Sequence, residues 1–250
     1  MIYLVPEVKS GLGEDTFWTW FHREISSSFD LPENLKSEDW VLQYATLGPA
    51  KGGRKVALLW ELYAEMKKQG LESSDYKINK MKEAYEDSAF NIVSSPSMLE
   101  FYPHSKVMPI GVDTDIFTPR NRVDMRNKHG FGEGKLYFWC GTSHPMKGED
   151  RLKSYAREHP DVGWIACTKE RSVSQVILSE LMNCADFALF TGRLRPYFMV
   201  EWEAMACDLP VIDISGMERD FIPGEHPRQD VLEQGWSRHQ AKEEWLRFLS

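Results

Sequence analysis

Short apolar runs alternate with helical patterns along the whole chain. The apolar runs predict strands, and the segments between them repeat apolar residues at helical spacing. This alternation is typical of parallel sheets with helices on both faces, so we expect an α/β fold. The predicted strands cover residues 2–5, 40–44, 55–59, 91–93, 106–109, 136–140, 163–167, 187–190 and 210–214. The predicted helices cover residues 15–25, 78–88, 150–158, 173–182, 198–207 and about 238–249.

A polar stretch over residues 118–134 separates the first five predicted strands from the last four. It is rich in Arg, Asn, Asp, Lys and Gly, which indicates a linker between two sheets. We place the boundary near Pro119 and expect one Rossmann-like domain over residues 1–118 and another over residues 119–250. Two open parallel sheets in tandem predict a cleft in which a ligand meets strand carboxyl ends and helix amino ends.

The composition and net charge of the chain argue against several classes of protein. The chain has 250 residues, of which 42% are apolar and 27% are charged, and its formal net charge is −8. That charge argues against broad nonspecific binding to nucleic acid or anionic lipid. No apolar run approaches the ~18 residues of a membrane span, and the apolar start of the chain is too short for a signal peptide. We therefore expect a soluble protein of the cytoplasm, or of the host cytoplasm if the protein is viral.

Cysteines and acidic pairs give little sign of a metal site. No two cysteines form a C-x-x-C pair, and each lies in an apolar segment, which predicts buried free thiols in a reducing compartment. They are Cys140, Cys167, Cys184 and Cys207. An Asp-x-Asp pair at Asp113 and Asp115 can chelate a divalent cation, but it falls where the chain leaves the first predicted sheet. We expect no bound metal.

A glycine-containing loop follows the first predicted strand. It reads SGLGED over residues 10–15 and leads directly into a helical pattern. Glycine lets a backbone approach a ligand closely, and helix amino ends attract phosphate. A dinucleotide fingerprint needs a third glycine where Thr16 stands, which weakens a nicotinamide-binding interpretation. A loop that faces another ligand and a plain strand-to-helix turn both stay open.

Two later segments carry candidate chemistry. The loop over residues 141–148 reads GTSHPMKG between a predicted strand and a predicted helix. Its Lys147 can hold a phosphate as a point charge, although the spacing is not that of a P-loop and periodicity alone favours a solvated lysine. Glu201 and Glu203 lie in the first turns of a helix that runs into an apolar strand. They suit either the helix dipole or the binding of two sugar hydroxyls by one carboxylate.

The order of these segments resembles that of the retaining glycosyltransferases with two Rossmann-like domains, the GT-B architecture, which use nucleotide-activated sugars. MPIGVDTDIF over residues 108–117 is similar to the family's I-P-N-G-V-D-T-x-x-F pattern. The loop over residues 141–148 resembles its G-R-…-K-G loop, and EAMACDLPV over residues 203–211 resembles its E-A-M-A-x-G-x-P-V string. The likeness is firm from about residue 91 to residue 214.

The resemblance implies an enzyme, a hexosyl- or pentosyltransferase. It would move a sugar from a donor such as a UDP- or GDP-sugar to an acceptor hydroxyl, with retention. The two domains would face a cleft, with the acceptor on the N-terminal side and the donor on the C-terminal side. Such enzymes usually need no metal cofactor, because basic side chains and helix dipoles stabilise the leaving diphosphate. The leaving phosphate can itself accept the acceptor's proton, so no catalytic pair of carboxylates is required.

The same resemblance assigns roles to individual residues. Lys147 would bind the donor diphosphate, and Glu203 would take the ribose hydroxyls of the nucleotide. Gly13 would let the first loop approach the donor phosphate, while Thr168 and Val173 would flank the base. The implied donor-binding set is Gly13, Thr142, Ser143, His144, Lys147, Thr168, Val173 and Glu203.

Three positions depart from the family pattern. Thr142 stands where the family has an arginine, which removes a cation from the diphosphate, and His144 is a candidate replacement. Arg195 stands eight residues before Glu203, where the family has a glutamate that faces the transferred sugar. Arg195 suits a phosphate or an acidic sugar, and it completes the predicted catalytic set with Lys147 and Glu203. Asp208 replaces the usual glycine after the helix.

The acceptor is not defined by the sequence. His22 and Glu61 are the candidate acceptor-side residues, and a glycan, a small molecule and modified DNA all stay open as acceptors. A strip of lysines suggests an alternative, a viral-type DNA glycosyltransferase that acts on hydroxymethylated bases, although solvated helix faces explain the same residues. The strip consists of Lys51, Arg54, Lys55, Lys67, Lys68, Lys77, Lys80 and Lys82. Alternatives of another class are an NAD-dependent oxidoreductase and a catalytically inactive nucleotide-sugar-binding module.

Overall fold

The computed structural model shows an α/β protein with two parallel sheets, as the alternating pattern predicts. It describes residues 1–5, 21, 23–25, 35–44, 53–60, 62–71, 74–168, 173–194, 199–216 and 225–250. The chain divides into two compact units: unit 1 consists of Met1–Ile110 and His239–Ser250, and unit 2 of Gly111–Arg238. Within the described ranges no helix is both long and apolar enough to cross a membrane.

The described α-helices are short and fall between or after the strands. They are α1 Tyr63–Lys68, α2 Asp75–Asp87, α3 Arg122–His129, α4 Glu149–Glu158, α5 Gln175–Cys184, α6 Met199–Ala206, α7 Pro227–Glu233 and α8 Arg238–Leu249. Single 3-10 turns occur at Pro96–Glu100 and Pro145–Lys147. The sequence pattern predicts α2, α4, α5, α6 and α8 with small errors at their ends, whereas α1, α3 and α7 were not predicted.

Five parallel strands form the sheet of unit 1 and lie side by side in chain order. They are β1 Ile2–Val5, β2 Trp40–Tyr44, β3 Arg54–Leu58, β4 Phe90–Val93 and β5 Lys106–Val107. The central strands β2 and β3 are mostly apolar, because both faces of a central parallel strand are covered. The fully buried side chains there include Val41, Leu42, Val56 and Leu58. Each predicted strand of this sheet lies within two residues of its structural counterpart.

The last helix, α8, completes the core of unit 1. Its Trp245 is fully buried and donates its indole N–H to the carbonyl of Pro109 at 3.0 Å. The same ring meets Phe21 edge-on, with 4.9 Å between ring centroids. Lys242 of α8 also bonds Glu24 at 2.8 Å. Helix α8 therefore packs with Phe21 and Glu24. Residues 239–250 belong to unit 1 and not to a C-terminal unit, as the predicted domain over residues 119–250 would require.

Four parallel strands form the sheet of unit 2, in the order β7-β6-β8-β9. They are β6 Leu136–Cys140, β7 Gly163–Cys167, β8 Phe187–Phe190 and β9 Val211–Asp213. The first three match the predicted strands at both ends. The chain places β7 on one side of β6 and β8 on the other, so the strand order reverses at β6.

Residues 118–134 are not a linker, which corrects the sequence prediction. They contain α3, which begins after Asn121 and ends at Gly130, where φ is 74°. The Asn121 side chain caps the helix by accepting the N–H of Asp124 at 3.1 Å. Unit 2 begins at Gly111, so the predicted boundary near Pro119 lies inside this unit.

Ionic bonds, together with the one packed apolar side chain of Met125, hold α3 against the rest of unit 2, which explains the error. Arg126 bonds the carboxylate of Asp186 at 2.8 Å, while Lys128 and His129 both bond Glu180 of α5. Glu180 is buried, and the hydrogen bond from Lys128 is the main reason that its pKa lies below the ordinary value. A helix held in this way shows almost no apolar periodicity, so the sequence pattern resembles a linker.

The four cysteines are not in disulfides, as predicted; Cys167, Cys184 and Cys207 are buried and Cys140 is half-buried. Asp208 adopts a left-handed backbone with φ of 58°, the conformation that a glycine at this position would favour. Its carboxylate accepts the backbone N–H of Arg228 at 3.3 Å. Aspartate therefore adopts at this position a backbone conformation that glycine favours.

Candidate functional site

The carboxyl ends of β6, β7 and β8 meet at one edge of the unit 2 sheet. The strand order of this sheet reverses at β6, which has β7 on one side and β8 on the other. Such a reversal opens a crevice at the carboxyl ends, which is where open α/β sheets bind ligands. Six predicted site residues follow β6 and β7 at this edge: Thr142, Ser143, His144, Lys147, Thr168 and Val173.

Lys147 ends the 3-10 turn Pro145–Lys147, directly after β6. His144 shapes this turn, because its ring Nδ1 accepts the N–H of Met146 at 3.2 Å and its carbonyl accepts the N–H of Lys147 at 2.8 Å. The hydroxyl of Thr142 accepts the N–H of His144 at 3.3 Å. Thr142 and His144 therefore hold the turn that carries the half-buried Lys147. The Nδ1 of His144 is already hydrogen-bonded to the backbone.

The loop after β8 packs tightly against this turn at Gly148. Gly148 has φ of 70°, and a Cβ there would lie 2.0 Å from the carbonyl oxygen of Thr191. The hydroxyl of Thr191 donates to the carbonyl of Lys147 at 2.7 Å and accepts the indole N–H of Trp139 at 2.9 Å. Any side chain at Gly148 would separate the two loops.

Arg193 ties the same two loops together a few residues further on. Its backbone N–H donates to the carbonyl of Met146 at 2.9 Å, and its guanidinium donates to the carbonyl of Pro145 at 2.8 Å. Both terminal nitrogens also bond the two carboxylate oxygens of Asp150. This bidentate bond lowers the pKa of Asp150 to about 2. The turn that carries Lys147 is thus held by backbone and side-chain bonds from one neighbouring loop.

Glu203 is buried in the middle of α6, with 6% of its surface exposed. Burial raises the pKa of Glu203 to about 7, and the positive charge of Arg238 opposes that rise in part. Water stabilises an ionised carboxylate, so its removal favours the protonated form. A carboxyl that titrates near neutral pH in a buried position is typical of functional sites.

Cys140, the last residue of β6, is affected by the charges of both Lys147 and Glu203. Burial, with smaller contributions from Cys167 and Glu203, raises the pKa of the Cys140 thiol to about 12, and the charge of Lys147 opposes that rise. Charges act on a thiol in this way at short range. Cys140 and Lys147 also line one small pocket together with Trp139 and Thr191. Lys147 therefore lies beside Cys140 at the carboxyl end of β6, and the charge of Glu203 acts on the same thiol.

The end of β7 lies beside this edge. The N–H of Gly141 donates to the carbonyl of Cys167 at 3.0 Å, so the loops that begin at Gly141 and Thr168 are neighbours. Val173 stands just before α5 and is 41% exposed. Ser174 caps α5 by accepting the N–H of Ile177 at 3.4 Å. An exposed apolar side chain at this helix start offers a surface for a flat ring.

Four predicted site residues lie outside the described residues: Gly13, His22, Glu61 and Arg195. Phe21, which precedes His22, is fully buried against Trp245, so it belongs to the core of unit 1.

The Asp-x-Asp pair forms part of a turn. Asp113 bonds Arg238 at 2.8 Å through one carboxylate oxygen, and the other accepts the N–H groups of Asp115 and Ile116 at 3.2 and 3.1 Å. In the part of the chain that the structure describes, no cluster of three or more metal-ligating side chains occurs.

The lysine strip of unit 1 is ion-paired in its described part. Five lysines lie against carboxylates on the same unit, which lowers the positive potential that a phosphate backbone would meet. The pairs are Lys55–Asp87, Lys67–Asp75, Lys68–Glu65, Lys80–Glu83 and Lys82–Glu86. Lys77 lies over the ring of Tyr63, 5.1 Å from its centroid.

A wider pocket of about 410 Å³ lies at the opposite edge of the unit 2 sheet, where α5 and α6 end. Arg120 and Arg122 line it, but Arg120 bonds Glu180 and Arg122 bonds Asp186. With both guanidinium groups already paired with carboxylates, this pocket does not resemble a phosphate site.

Sequence reasoning missed Thr191, Arg193 and Trp139 as parts of the site. Thr191 and Arg193 directly follow β8. Polar residues after a buried strand, next to the point where the strand order reverses, are the sequence signal that could have identified them. Trp139 reads as a core residue in the sequence, since it stands inside an apolar run.

Several solved structures share the fold. Sucrose-phosphate synthase from Thermosynechococcus elongatus matches with a TM-score of 0.57 and 15% identity, over 84% of this chain and 69% of that chain. A TarM variant from S. aureus, solved with fondaparinux, alpha-GlcNAc-glycerol and UDP, matches with a TM-score of 0.60 and 12% identity, over 86% and 56%. Starch synthase IV from Arabidopsis thaliana, bound to ADP and acarbose, matches with a TM-score of 0.53 and 12% identity, over 84% and 68%.

No protein-family model matches the chain, and a search of curated proteins finds no match. The chain spans just over half the length of the TarM chain and about two thirds of the other two. At these identities the likeness concerns the fold alone: the chain has the α/β fold of the GT-B glycosyltransferases.

Proposed function

We propose that the protein is a glycosyltransferase that moves a sugar from a nucleotide-sugar donor to an acceptor hydroxyl, with retention and without a bound metal. The observation that carries the proposal is the pocket at the carboxyl end of β6, where Lys147 lies with Cys140 and where the charge of Glu203 acts on the same thiol. An ammonium group suits the diphosphate of such a donor, and a carboxylate suits its hydroxyls. The fold that the chain shares with glycosyltransferases supports the same function.

The nucleotide part of the donor has further support from the solved structures. The TarM variant from S. aureus was solved with UDP, and starch synthase IV from Arabidopsis thaliana with ADP. In this chain we propose that the donor lies along the loops after β6 and β7. Thr168 and Val173 would flank the base, and Ser143 would lie near the phosphates. Gly13 and Arg195 belong to the same proposal.

Lys147 would stabilise the charge that develops on the diphosphate as the bond to the sugar breaks. Its backbone is held by His144, Thr191 and the Arg193 loop, so little reorganisation is needed during the reaction. The acceptor oxygen attacks the anomeric carbon on the face from which the diphosphate leaves. One C–O bond forms as the other breaks, and a phosphate oxygen of the leaving group takes the hydroxyl proton.

Glu203 would accept hydrogen bonds from two ribose hydroxyls of the donor. An ionised carboxylate accepts such bonds more strongly than a protonated one. Because the pKa of Glu203 is about 7, part of the protein carries the wrong form at neutral pH in the absence of ligand. Donor binding would draw the carboxyl into its ionised form and would tighten as the pH rises through 7.

The two units would bind different substrates of the transfer reaction. Unit 2 contains Lys147 and Glu203 and would bind the donor, whereas unit 1 would present the acceptor. The acceptor-side candidates His22 and Glu61 belong to unit 1. The carboxylates beside the lysines of unit 1 favour a glycan or a small molecule over a DNA backbone as the acceptor.

The experiment is a thermal-shift panel of UDP, GDP, ADP and their sugars, in buffer with EDTA. A ligand that binds the native state stabilises it by about 2.7 kcal/mol at a hundredfold excess over Kd. This stabilisation raises the unfolding midpoint. We expect a selective shift with one base and its sugars. Lys147→Ala should lose most of that shift, whereas Lys153→Ala, an exposed lysine of α4 paired with Glu149, should keep it.

Transfer and hydrolysis assays on the selected donor complete the test, with NMR of the product to determine the anomeric configuration. A shift with NAD(H) alone would indicate an oxidoreductase instead. Donor binding without transfer or hydrolysis would indicate an inactive binding module. An unchanged shift in Lys147→Ala would contradict the proposed site.

A further inference from the structure

We infer that Thr191 is a positioning residue for Lys147 and thereby sets how tightly the site holds the phosphates of a nucleoside diphosphate. The inference rests on the proposed function, because it requires Lys147 to contact the donor diphosphate. Thr191 directly follows β8 and is 1% exposed. Because it is buried, it acts on the site through Lys147 and not by contact with a ligand.

A chain of hydrogen bonds runs from the sheet to Lys147 through the Thr191 hydroxyl. The indole N–H of Trp139, in the middle of the unit 2 sheet, donates to this hydroxyl, which donates in turn to the Lys147 carbonyl. The Trp139 ring is itself confined, because a Cβ on Gly141 would lie 2.6 Å from it. Buried bonds in series strengthen one another in a low dielectric.

This chain fixes the peptide from which the lysine side chain projects. A lysine side chain is long and flexible, so the reach of its ammonium group depends on the orientation of its own backbone. Close packing at Gly148 blocks one direction of movement, and the bonds from Arg193 to Pro145 and Met146 block another. The Thr191 hydroxyl bonds the carbonyl of Lys147 itself.

The experiment measures binding of UDP, GDP and ADP, and of their nucleosides, by isothermal titration calorimetry below the unfolding temperature. Thr191→Val keeps the shape and removes the hydroxyl, and we expect it to weaken diphosphate binding about tenfold. Nucleoside binding should not change, since the phosphates are missing. Thr191→Ser keeps the hydroxyl and should restore diphosphate affinity.

Ser179→Ala is the matched control. Ser179 is also buried in unit 2, and its hydroxyl donates to a backbone carbonyl, that of Ile116, at 2.7 Å. Its loss removes the same kind of bond away from Lys147, so diphosphate affinity should stay as in the wild type. If Thr191→Val does not fold, Trp139→Phe replaces it; this variant removes the outer bond of the chain and should weaken diphosphate binding about threefold.

A double variant separates positioning from a general structural role. Alanine at position 147 keeps the backbone carbonyl that Thr191 bonds but lacks the ammonium group. A positioning effect of Thr191→Val should therefore vanish in the Lys147→Ala background, whereas a structural effect would persist there. An equal loss of affinity in both backgrounds, or an equal loss for diphosphates and nucleosides, overturns the inference.

The remaining outcomes distinguish this inference from the proposed function. If Lys147→Ala weakens diphosphate binding and Thr191→Val does not, the inference is wrong and the proposed function stands. If the wild type binds none of the three diphosphates, or Lys147→Ala binds them as the wild type does, the proposed function is wrong and the inference falls with it.

Discussion

The buried carboxyl of Glu203 leads to a sharp prediction about stability and pH. Glu203→Gln keeps the size and shape of the side chain but cannot ionise. In the folded protein, burial raises the pKa of Glu203 from 4.5 to about 7, against the opposing charge of Arg238. In the unfolded chain the same carboxyl is hydrated and titrates near its ordinary value.

The direction of the effect follows from the protons that each state binds. Between pH 4.5 and pH 7 the folded carboxyl keeps its proton while the unfolded one loses it, so the free energy of unfolding falls as the pH rises. Below this window both states are protonated, and above it both are ionised, so the loss is then complete. A difference of about 2.5 pKa units corresponds to about 3 kcal/mol.

Glutamine at position 203 avoids this loss. We expect Glu203→Gln to match the wild type near pH 4.5 and to exceed it by about 3 kcal/mol at pH 8. For a unit of this size, that difference raises the unfolding midpoint by roughly 10 °C. Calorimetric melting and urea titration at four or five pH values between 4.5 and 8 measure it.

Glu158→Gln, an exposed glutamate of α4, is the control and should show no gap that grows with pH. A constant difference between Glu203→Gln and the wild type across the whole range would refute the reasoning. It would mean that the folded carboxyl ionises at its ordinary pKa and that burial does not control it.

Three further predictions concern the site and the core. Gly148→Ala should lose diphosphate binding more than tenfold in titration calorimetry, because its Cβ would collide with the Thr191 carbonyl and no side-chain rotation relieves a backbone clash. Trp245→Ala should destabilise unit 1 by about 3–5 kcal/mol in urea unfolding, whereas Leu246→Ala, at an exposed neighbouring position, should cost far less. Wild-type donor affinity should rise between pH 6 and pH 8, and Glu203→Gln should show a weak, pH-independent affinity; a parallel rise in both proteins would exclude Glu203 as the titrating group.

The fold of unit 2 was largely predictable because its strands are apolar, and the central strands β6 and β8 are mostly buried. β6, β7 and β8 appear in the sequence as short continuous apolar runs, and the structure has them at the predicted residues. α3 escaped the same reasoning, because its contacts to Glu180 and Asp186 are ionic and leave no periodic trace. The two compact units have other bounds than the predicted domains, since no local pattern reveals that α8 packs with unit 1.

The sequence predicted candidate site residues that a local motif identifies. It did not predict residues whose role depends on contacts between distant segments. Lys147 and Glu203 stand in recognisable strings, and the charges of both act on Cys140 at the end of β6; their roles stay predictions. Thr191, Trp139 and Arg193 act by contacts across two loops, and such contacts depend on strand order, which a single sequence does not reveal.

The position of α8 has a consequence for biosynthesis. Unit 2 is one continuous segment, Gly111–Arg238, whereas unit 1 needs both Met1–Ile110 and His239–Ser250. Domains usually fold in the order in which the ribosome makes them. Here Met1–Ile110 are made before Trp245, the ring that packs edge-on against Phe21. The nascent N-terminal sheet must therefore wait, with part of its apolar surface open to chaperones, until the second unit has been translated and the last helix can dock.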